Sequence, residues 1–204
     1  MSTQPTQPAE PAPQPAPNAG HGGTPATLRS TAAPPAPGTD ALAGQTVVLR
    51  PTGAQHVAAF MAILQHPEVA RWWGGYDLER VRRELLGPHG YAIELAGEVV
   101  GLIIFHEEND PDYRHAGIDI ALHPDAHGQG LGADAMRTLI RYLFERRGHH
   151  RIVIDPAASN TRAIRSYQRV GFSPVGVMRR YERGGDGSWH DGLLMDLLRE
   201  EFQG

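Results

Sequence analysis

The sequence predicts an α+β fold, in which a mixed, mostly antiparallel sheet of about seven strands has a central parallel βαβ crossover and helices on both faces. Three observations lead to this prediction. Apolar runs with strand periodicity are interspersed with helical patterns along one continuous segment. Two early runs meet at a tight glycine-containing turn, which is typical of an antiparallel hairpin. One long amphipathic segment separates two further strand-like runs, which is typical of a parallel crossover.

The chain has two segments of different composition. Residues 1–41 contain ten of the 17 prolines, mixed with Gln, Ala, Thr and Gly. Such a segment buries too little apolar surface to offset its backbone entropy, so we expect a disordered Pro/Ala/Gln-rich tail with polyproline-II character. A PxxP ligand for an SH3-like partner is the alternative. Residues 42–204, about 160 residues, have the size of one domain with a core of its own.

Seven runs have the length and the β-branched or aromatic content of strands. They are residues 46–50, 91–95, 99–106, 117–122, 151–155, 172–181 and 189–197. The second and third runs meet around Ala96-Gly97-Glu98, which predicts a hairpin with a tight turn.

Helical periodicity is clearest in two segments. Apolar residues recur at helical spacing over residues 131–144, with arginines off that stripe. Residues 160–170 form the second helical pattern, with Ser159 or Asn160 as its N-cap and Gly171 at its end. Weaker helical patterns cover residues 54–64, 68–72 and 78–86.

The composition excludes several classes of enzyme. All 19 basic residues are arginines, and the absence of lysine excludes Schiff-base chemistry and a Walker-type phosphate loop. The absence of cysteine excludes disulfides, a thiolate nucleophile and a CxxC zinc site. The net charge of −4 disfavours nucleic acid as a partner and favours cationic or small neutral substrates.

Nothing in the sequence predicts a membrane segment, a secretion signal or a metal site. There is no apolar run of about 18 residues and no basic segment followed by an apolar one at the N-terminus, so we expect a cytoplasmic protein. His123 and His127 have the i, i+4 spacing of a helical metal pair. Pro124 and the glycines that follow make this segment a loop, so we predict no metal there.

A glycine-rich loop lies between the strand at 117–122 and the helix at 131–144. It reads His127-Gly128-Gln129-Gly130-Leu131-Gly132. Backbone N–H groups at a helix N-terminus bind anions, and glycines let a pyrophosphate approach closely. The loop also matches the GxGxxA fingerprint of dinucleotide-binding enzymes, but those need several βαβ units and the sequence predicts one crossover. A plain tight turn is the remaining alternative.

Two motifs resemble those of the GNAT (GCN5-related N-acetyltransferase) family. The glycine loop is similar to the family's pyrophosphate loop, Q/R-x-x-G-x-G/A, and departs from it at His127, where the family contributes mainly backbone. Residues 160–172 match the family's second acetyl-CoA segment, N-x-x-A-x-x-x-Y-x-x-x-G-F. This resemblance implies a GNAT fold and acetyl-CoA as co-substrate, with no metal.

Further segments resemble one branch of the family, the aminoglycoside 6′-N-acetyltransferases. They are Trp72-Trp73-Gly74-Gly75, the acidic run at 107–112 and Gly117-Ile118-Asp119. The resemblance spans residues 46–197 and stops at the proline-rich tail.

The resemblance also implies roles for individual residues. Asp119 matches the proposed general base, and Tyr167 matches the tyrosine that protonates the leaving thiolate. Residues implied to bind acetyl-CoA are Ile120, Ala121, Leu122, His127, Gly128, Gln129, Gly130, Leu131, Gly132, Asn160 and Arg165. Residues expected to bind the acceptor are Trp72, Trp73, Asp110, Asp112 and Asp155.

The predicted activity is direct transfer of an acetyl group to a primary amine of an aminoglycoside, the 6′-amine, conferring resistance. Because the chain has no cysteine, an acetyl-cysteine intermediate is excluded. The expected partner is a small-molecule polycationic amine, without nucleic acid or membrane, and the expected state is a monomer or homodimer. Alternatives are another acceptor (a protein N-terminus, a siderophore hydroxylysine or another amino-sugar antibiotic) or a non-catalytic acetyl-CoA-binding module.

Overall fold

The computed structural model describes residues 40–184 and 186–204, which contain eight strands and five α-helices. The strands are β1 (Leu42–Ala43), β2 (Val48–Pro51), β3 (Gly90–Leu95), β4 (Glu98–Glu108), β5 (His115–Leu122), β6 (Arg151–Ile154), β7 (Ser173–Arg183) and β8 (Trp189–Leu198). The helices are α1 (Val57–Gln65), α2 (Pro67–Trp73), α3 (Leu78–Glu84), α4 (Leu131–Glu145) and α5 (Thr161–Val170).

The strands form one sheet in the order β1-β2-β3-β4-β5-β6-β8-β7. Among the ladders between these strands, β5 and β6 form the parallel pair and the others are antiparallel. Helix α4 connects β5 to β6, so the predicted central crossover and the α+β fold class are confirmed.

The predicted and observed elements differ mainly at one edge of the sheet. All seven predicted strands are present within two residues of their predicted limits, and β1 adds an eighth. The sequence analysis missed β1 because two residues are too short to show periodicity. Of the tail predicted for residues 1–41, only Asp40 and Ala41 lie within the described residues. The prediction of disorder for the rest falls outside the described part of the chain.

The β3–β4 hairpin turns through two residues with positive φ. Ala96 has φ 51° and Gly97 has φ 91°, the left-handed conformation at both central positions that matches the twist of the paired strands. The predicted tight turn is therefore confirmed, and it places β3 and β4 side by side at the centre of the sheet.

Helices cover both faces of the sheet because side chains alternate along the central strands. Tyr91 and Ile93 point into a buried cluster with α4, while Ala92 and Leu102 point into a second cluster with α1, α2 and α3. Burial on both faces explains why β3 and β4 are apolar in consecutive positions. No helix in the described residues is long and apolar enough to cross a membrane.

Polar contacts fix the starts of the two helices after β5. The Asp134 carboxylate in the first turn of α4 accepts backbone hydrogen bonds from Thr46 and Val47 at 2.7 and 2.9 Å. Asn160 is the N-cap of α5, where its Oδ1 accepts from the Ala163 N–H at 3.2 Å. The Asp134 contacts thereby tie the start of α4 to the segment just before β2, and the Asn160 contact closes the first turn of α5.

Candidate active site

A cleft of about 910 Å³ opens where β5 and β6 separate. The parallel ladder joins only Ala116 to Ile152 and Gly117 to Val153, although β5 stays paired with β4 as far as Leu122. Residues 118–122 therefore have no strand partner on their β6 side in this ladder. A ligand chain can form strand-like hydrogen bonds with such a free edge.

Most of the residues that the sequence assigned to the site line this single cleft. They are Trp72, Trp73, Asp119, Ile120, Ala121, Leu122, His127, Gly128, Gly130, Leu131, Gly132, Asp155, Asn160, Arg165 and Tyr167. They come from α2, β5, the glycine loop, the end of β6 and α5, which are far apart in the sequence.

Three predicted residues do not line the cleft. The Gln129 side chain turns back and donates to the Asp125 carbonyl at 2.7 Å, although its neighbours Gly128 and Gly130 do line the cleft. Asp110 and Asp112 lie in the exposed connection between β4 and β5, where the Asp110 carboxylate accepts from the Asp112 N–H at 2.9 Å. The structure therefore places these two aspartates outside the cleft, where the Asp110 carboxylate stabilises a local turn, and their expected contact with the acceptor stays a prediction.

The same acidic run contains a carboxylate that is buried in the opposite layer. Glu107 is 3% exposed and accepts hydrogen bonds from Arg147 at 2.7 Å and from His149 at 2.6 Å. Burial alone would raise the pKa of Glu107, but these two hydrogen bonds lower it below its usual range. Glu107 is thus a structural ion-pair partner that links β4 to the end of α4.

Asp119 is a cleft carboxylate whose pKa is strongly raised by its surroundings. It lies two residues past the last parallel pair on β5, as Asp155 does on β6, so both side chains project from the same face. Burial raises the pKa of Asp119 to about 6, and the charges of Asp155 and Glu182 add to this effect. The Asp119 side chain is 43% exposed, and its exposed surface faces the cleft. Such a carboxylate accepts a proton near neutral pH.

A β-bulge brings two further cleft residues to Asp155. The ladder between β7 and β8 shifts register between Met178 and Glu182, and Arg180 within it has φ 50°. Tyr181 hydrogen-bonds to Asp155, and this bond together with burial raises the pKa of Tyr181 to about 12. Burial and the charge of Asp155 also raise the pKa of Glu182. Sequence reasoning missed both residues because no local pattern reveals this bulge.

Tyr167 lies on α5 close to the same carboxylates. Its ring packs edge-on against Phe172 at 6.3 Å between centroids. Burial, followed by the charges of Asp119 and Asp155, raises the pKa of Tyr167 well above its usual range. The phenol therefore stays protonated at neutral pH, and its hydroxyl can donate a hydrogen bond within the cleft that it lines.

The glycine loop has the backbone conformation that an anion site needs. Gly128 and Gly130 have φ 76° and 81°, which favour glycine, and Gly130 is the N-cap of α4. The His127 side chain hydrogen-bonds to the backbone of Leu122, and burial lowers the pKa of His127. Neutral His127 thus ties the loop to the free edge of β5.

Arginines on α5 give this half of the cleft a positive charge. Arg162, Arg165 and Arg169, which we call the arginine stripe, lie at spacings of three and four residues and all line the cleft. Together with the loop N–H groups they fit the phosphates of a nucleotide-containing cofactor. The sequence analysis assigned this role to Arg165 and to neither Arg162 nor Arg169.

Aromatic side chains from α2 and the segment after it also line the cleft. Trp73 contacts Tyr76 at 5.9 Å between ring centroids, and the Arg80 guanidinium lies 3.9 Å from the centre of the Tyr76 ring. Burial, partly offset by the charge of Arg80, raises the pKa of Tyr76 to about 12. Flat faces of this kind suit the rings of sugars and other cyclic substrates.

A separated parallel strand pair, a glycine loop at a helix N-terminus and an adjoining acidic pocket agree with the acetyltransferase class that the sequence motifs resemble. A family model described as an acetyltransferase (GNAT) domain matches residues 46–173, and the chain belongs to this family of N-acetyltransferases.

Similar proteins include enzymes with different acceptors. The chain is 30% identical over 156 residues to the aminoglycoside N(6′)-acetyltransferase type 1 of Klebsiella pneumoniae, a match covering 65% of this chain and 77% of that protein. It is 32% identical over 127 residues to a mycothiol acetyltransferase of Salinispora arenicola (strain CNS-205), covering 60% of this chain and 41% of that enzyme. The structure of AAC(6′)-Ib in complex with paromomycin and acetyl-CoA matches with a TM-score of 0.64 and 27% identity, covering 77% of this chain and 96% of that one.

Proposed function

We propose that this protein transfers an acetyl group from acetyl-CoA directly to a primary amine of an aminoglycoside, at its 6′ position. The observation that carries the proposal is a group of three cleft residues, Asp119, Asp155 and Glu182, which we call the acceptor carboxylates. They influence one another electrostatically beside the free edge of β5. The ammonium groups of a polycationic acceptor would neutralise the negative charge of these carboxylates, whereas a neutral acceptor would leave that charge without a counter-charge.

The other half of the cleft suits acetyl-CoA. The N–H groups of the glycine loop and the arginine stripe are donors for the pyrophosphate. The free edge of β5 at residues 120–122 is the binding surface for the pantetheine arm and the acetyl carbonyl. The Asn160 side-chain oxygen caps α5, so its amide nitrogen is the part that serves as a donor to the cofactor. These roles follow the family resemblance of each position.

The protons balance with two residues of this chain. Asp119 takes one proton from the acceptor ammonium, and the resulting amine attacks the acetyl carbon of the thioester. As the tetrahedral intermediate collapses, the carbon–sulfur bond breaks and Tyr167 donates its proton to the thiolate. The nitrogen of the intermediate carries two protons and the amide keeps one of them. The other returns to Tyr167 and replaces the proton that it gave to the thiolate. Each turnover therefore releases one net proton, which leaves from Asp119.

The test is thiol release from acetyl-CoA by the full chain with a panel of acceptors. The panel contains kanamycin, tobramycin, gentamicin, kasugamycin, a basic peptide and no acceptor. Neomycin and paromomycin form a matched pair, because they differ at the 6′ position, which carries an amine in neomycin and a hydroxyl in paromomycin. We expect rapid release with neomycin and kanamycin and little with paromomycin.

Other outcomes of the panel separate the alternatives. Equal rates with neomycin and paromomycin would contradict acetylation at the 6′-amine. Thiol release with the basic peptide alone would indicate that the acceptor is a protein N-terminus. Binding of acetyl-CoA without release for any acceptor would favour the non-catalytic module. With the expected result, expression of the chain in the cytoplasm of a susceptible bacterium should raise the inhibitory concentration of kanamycin, and expression of Asp119→Asn should not.

A further inference from the structure

A histidine outside the cleft lies next to its central carboxylate. The Nδ1 atom of His106 on β4 is 3.9 Å from the Oδ2 atom of Asp119. This gap is longer than a hydrogen bond, and a small rotation of the ring or one bridging water spans it. The His106 side chain is 66% exposed. Asp119 lines the cleft and His106 is absent from the described residues that line it, so the exposed imidazole surface faces bulk solvent.

A glycine on the neighbouring strand makes this position of the ring possible. His106 is paired with Gly117 in the β4–β5 ladder. A Cβ atom on residue 117 would lie 2.0 Å from the His106 Nε2 atom, so any other residue would displace the ring. The ring therefore lies across the backbone of β5, which brings its Nδ1 edge towards Asp119. Gly117 is a positioning residue for the imidazole.

The reaction needs a proton path at this point. Each turnover leaves one net proton on Asp119, and the exposed surface of that carboxylate opens into the cleft that both substrates fill. The pKa of Asp119 responds to His106 from β4, to Asp155 just after β6 and to Glu182 from β7, and the phenols of Tyr76, Tyr167 and Tyr181 also interact with it electrostatically. Of these, the imidazole is the base that is also exposed outside the cleft, so it can pass a proton to water.

We propose that His106 relays the reaction proton from Asp119 to bulk solvent while acceptor and acetyl-CoA occupy the cleft. The Asp119 carboxyl gives its proton to Nδ1 of the imidazole and Nε2 releases a proton to water, which restores the charge of the pair. Proton exchange with water then returns the imidazole to the tautomer whose Nδ1 is free for the next turnover. His106 acts through Asp119 and does not touch the substrate. The inference rests on the proposed role of Asp119 as the base.

The first experiment removes the imidazole and supplies it in solution. In the full chain, His106→Gln should lower kcat with kanamycin about tenfold, because Asp119 still accepts the first proton but loses it slowly. Free imidazole should restore most of the lost rate. Pyrazole, which has the same shape and is a much weaker base, should not. His115→Gln, at a histidine two residues before Gly117, is the matched control and should retain the rate. Equal rescue by both compounds, or no loss, would overturn the relay.

A second pair of variants separates ring position from ring chemistry. Gly117→Ala should lower kcat towards the level of His106→Ala by pushing the imidazole away from Asp119. In the His106→Ala background, Gly117→Ala should have no further effect, because the group it displaces is gone. Additive losses in the double variant would show that Gly117 acts independently of His106 and would contradict the proposal.

A third measurement needs no turnover. Carbon NMR titration of the Asp119 carboxyl should give a pKa above about 6 in His106→Gln, because the imidazolium that forms when His106 holds the proton lowers this pKa and is lost. An unchanged pKa would overturn the relay. The role of Asp119 is tested separately: full activity of Asp119→Asn would remove the proposed base, whereas full activity of His106→Gln beside an inactive Asp119→Asn would remove only the relay.

Discussion

Glu107 and Asp119 are carboxylates on the neighbouring strands β4 and β5, and their surroundings shift their pKa values in opposite directions. Glu107 lies in the α4 layer, where Arg147 and His149 lower its pKa. Asp119 faces the cleft, where burial and two other carboxylates raise its pKa to about 6. The partners of a carboxylate therefore decide its role. A carboxylate that accepts hydrogen bonds from cationic side chains stabilises the fold, whereas one whose pKa is raised by burial and by other carboxylates can take up a proton near neutral pH.

The largest expected effect concerns catalysis. Asp119→Asn keeps the shape of the side chain and removes the base, so kcat should fall by roughly 10²- to 10⁴-fold. The dissociation constant for acetyl-CoA should stay within about twofold, because the glycine loop and the arginine stripe are untouched. Steady-state kinetics and calorimetry with the full chain check both values. A variant that retains its kcat would remove Asp119 from the mechanism.

The matching substitution at the paired carboxylate should act on stability instead. Glu107→Gln removes the carboxylate charge that Arg147 contacts at 2.7 Å in a buried position and should lower the free energy of unfolding by about 3 kcal/mol. For a domain of this size that corresponds to a decrease in Tm of roughly 6–12 °C. Calorimetry measures the decrease.

The control for that comparison is activity below the transition. There, kcat of Glu107→Gln should stay within about twofold of the unaltered chain. Because the pKa of Glu107 is lowered in the folded state, its contribution to stability is present at neutral pH and is lost on acidification. A catalytic defect without loss of stability would reverse the roles assigned to Glu107 and Asp119.

A smaller effect separates the acceptor carboxylates from the acidic turn. Asp155→Asn should raise KM for the aminoglycoside about tenfold by removing one ammonium partner. Asp112→Asn, in the exposed connection after β4, should leave KM within about twofold. Initial-rate measurements over a range of acceptor concentrations decide this. If Asp112→Asn raised KM as much as Asp155→Asn, the acidic turn would also bind the acceptor.

The smallest effect is a gain in stability. Ionising Asp119 in the cleft costs free energy, because its folded-state pKa lies above the unfolded value. This contribution to stability is present below the unfolded pKa and is lost as the pH rises through about 6. At pH about 7.5, Asp119→Asn should therefore raise Tm by roughly 2–4 °C, allowing about 1 kcal/mol after solvent screening. A lower Tm would show that Asp119 stabilises the fold.

The features that sequence predicted well are local ones. The turn at Ala96 and Gly97, the N-cap Asn160 and the loop around Gly130 each depend on a few consecutive residues, and all lie where the patterns predict. The position of Asp119 in the cleft also followed from a short segment, once the family resemblance was drawn.

The features that sequence missed depend on contacts between distant segments. Glu107 reads as part of a solvated acidic run, and its partners Arg147 and His149 lie 40 and 42 residues away. Tyr181 reaches Asp155 only because β7 contains a bulge and β8 lies between β6 and β7. Neither hydrophobic periodicity nor motif spacing carries this information.

The central claim is that Asp119, with its raised pKa, deprotonates the acceptor amine. The most direct test is the pH dependence of kcat/KM for kanamycin between about pH 5 and 8. We predict a limb that falls about tenfold per pH unit below a midpoint near 6, and we predict that this limb is lost in Asp119→Asn. A profile with no midpoint between about 5 and 7, or one that Asp119→Asn leaves unchanged, would contradict the claim.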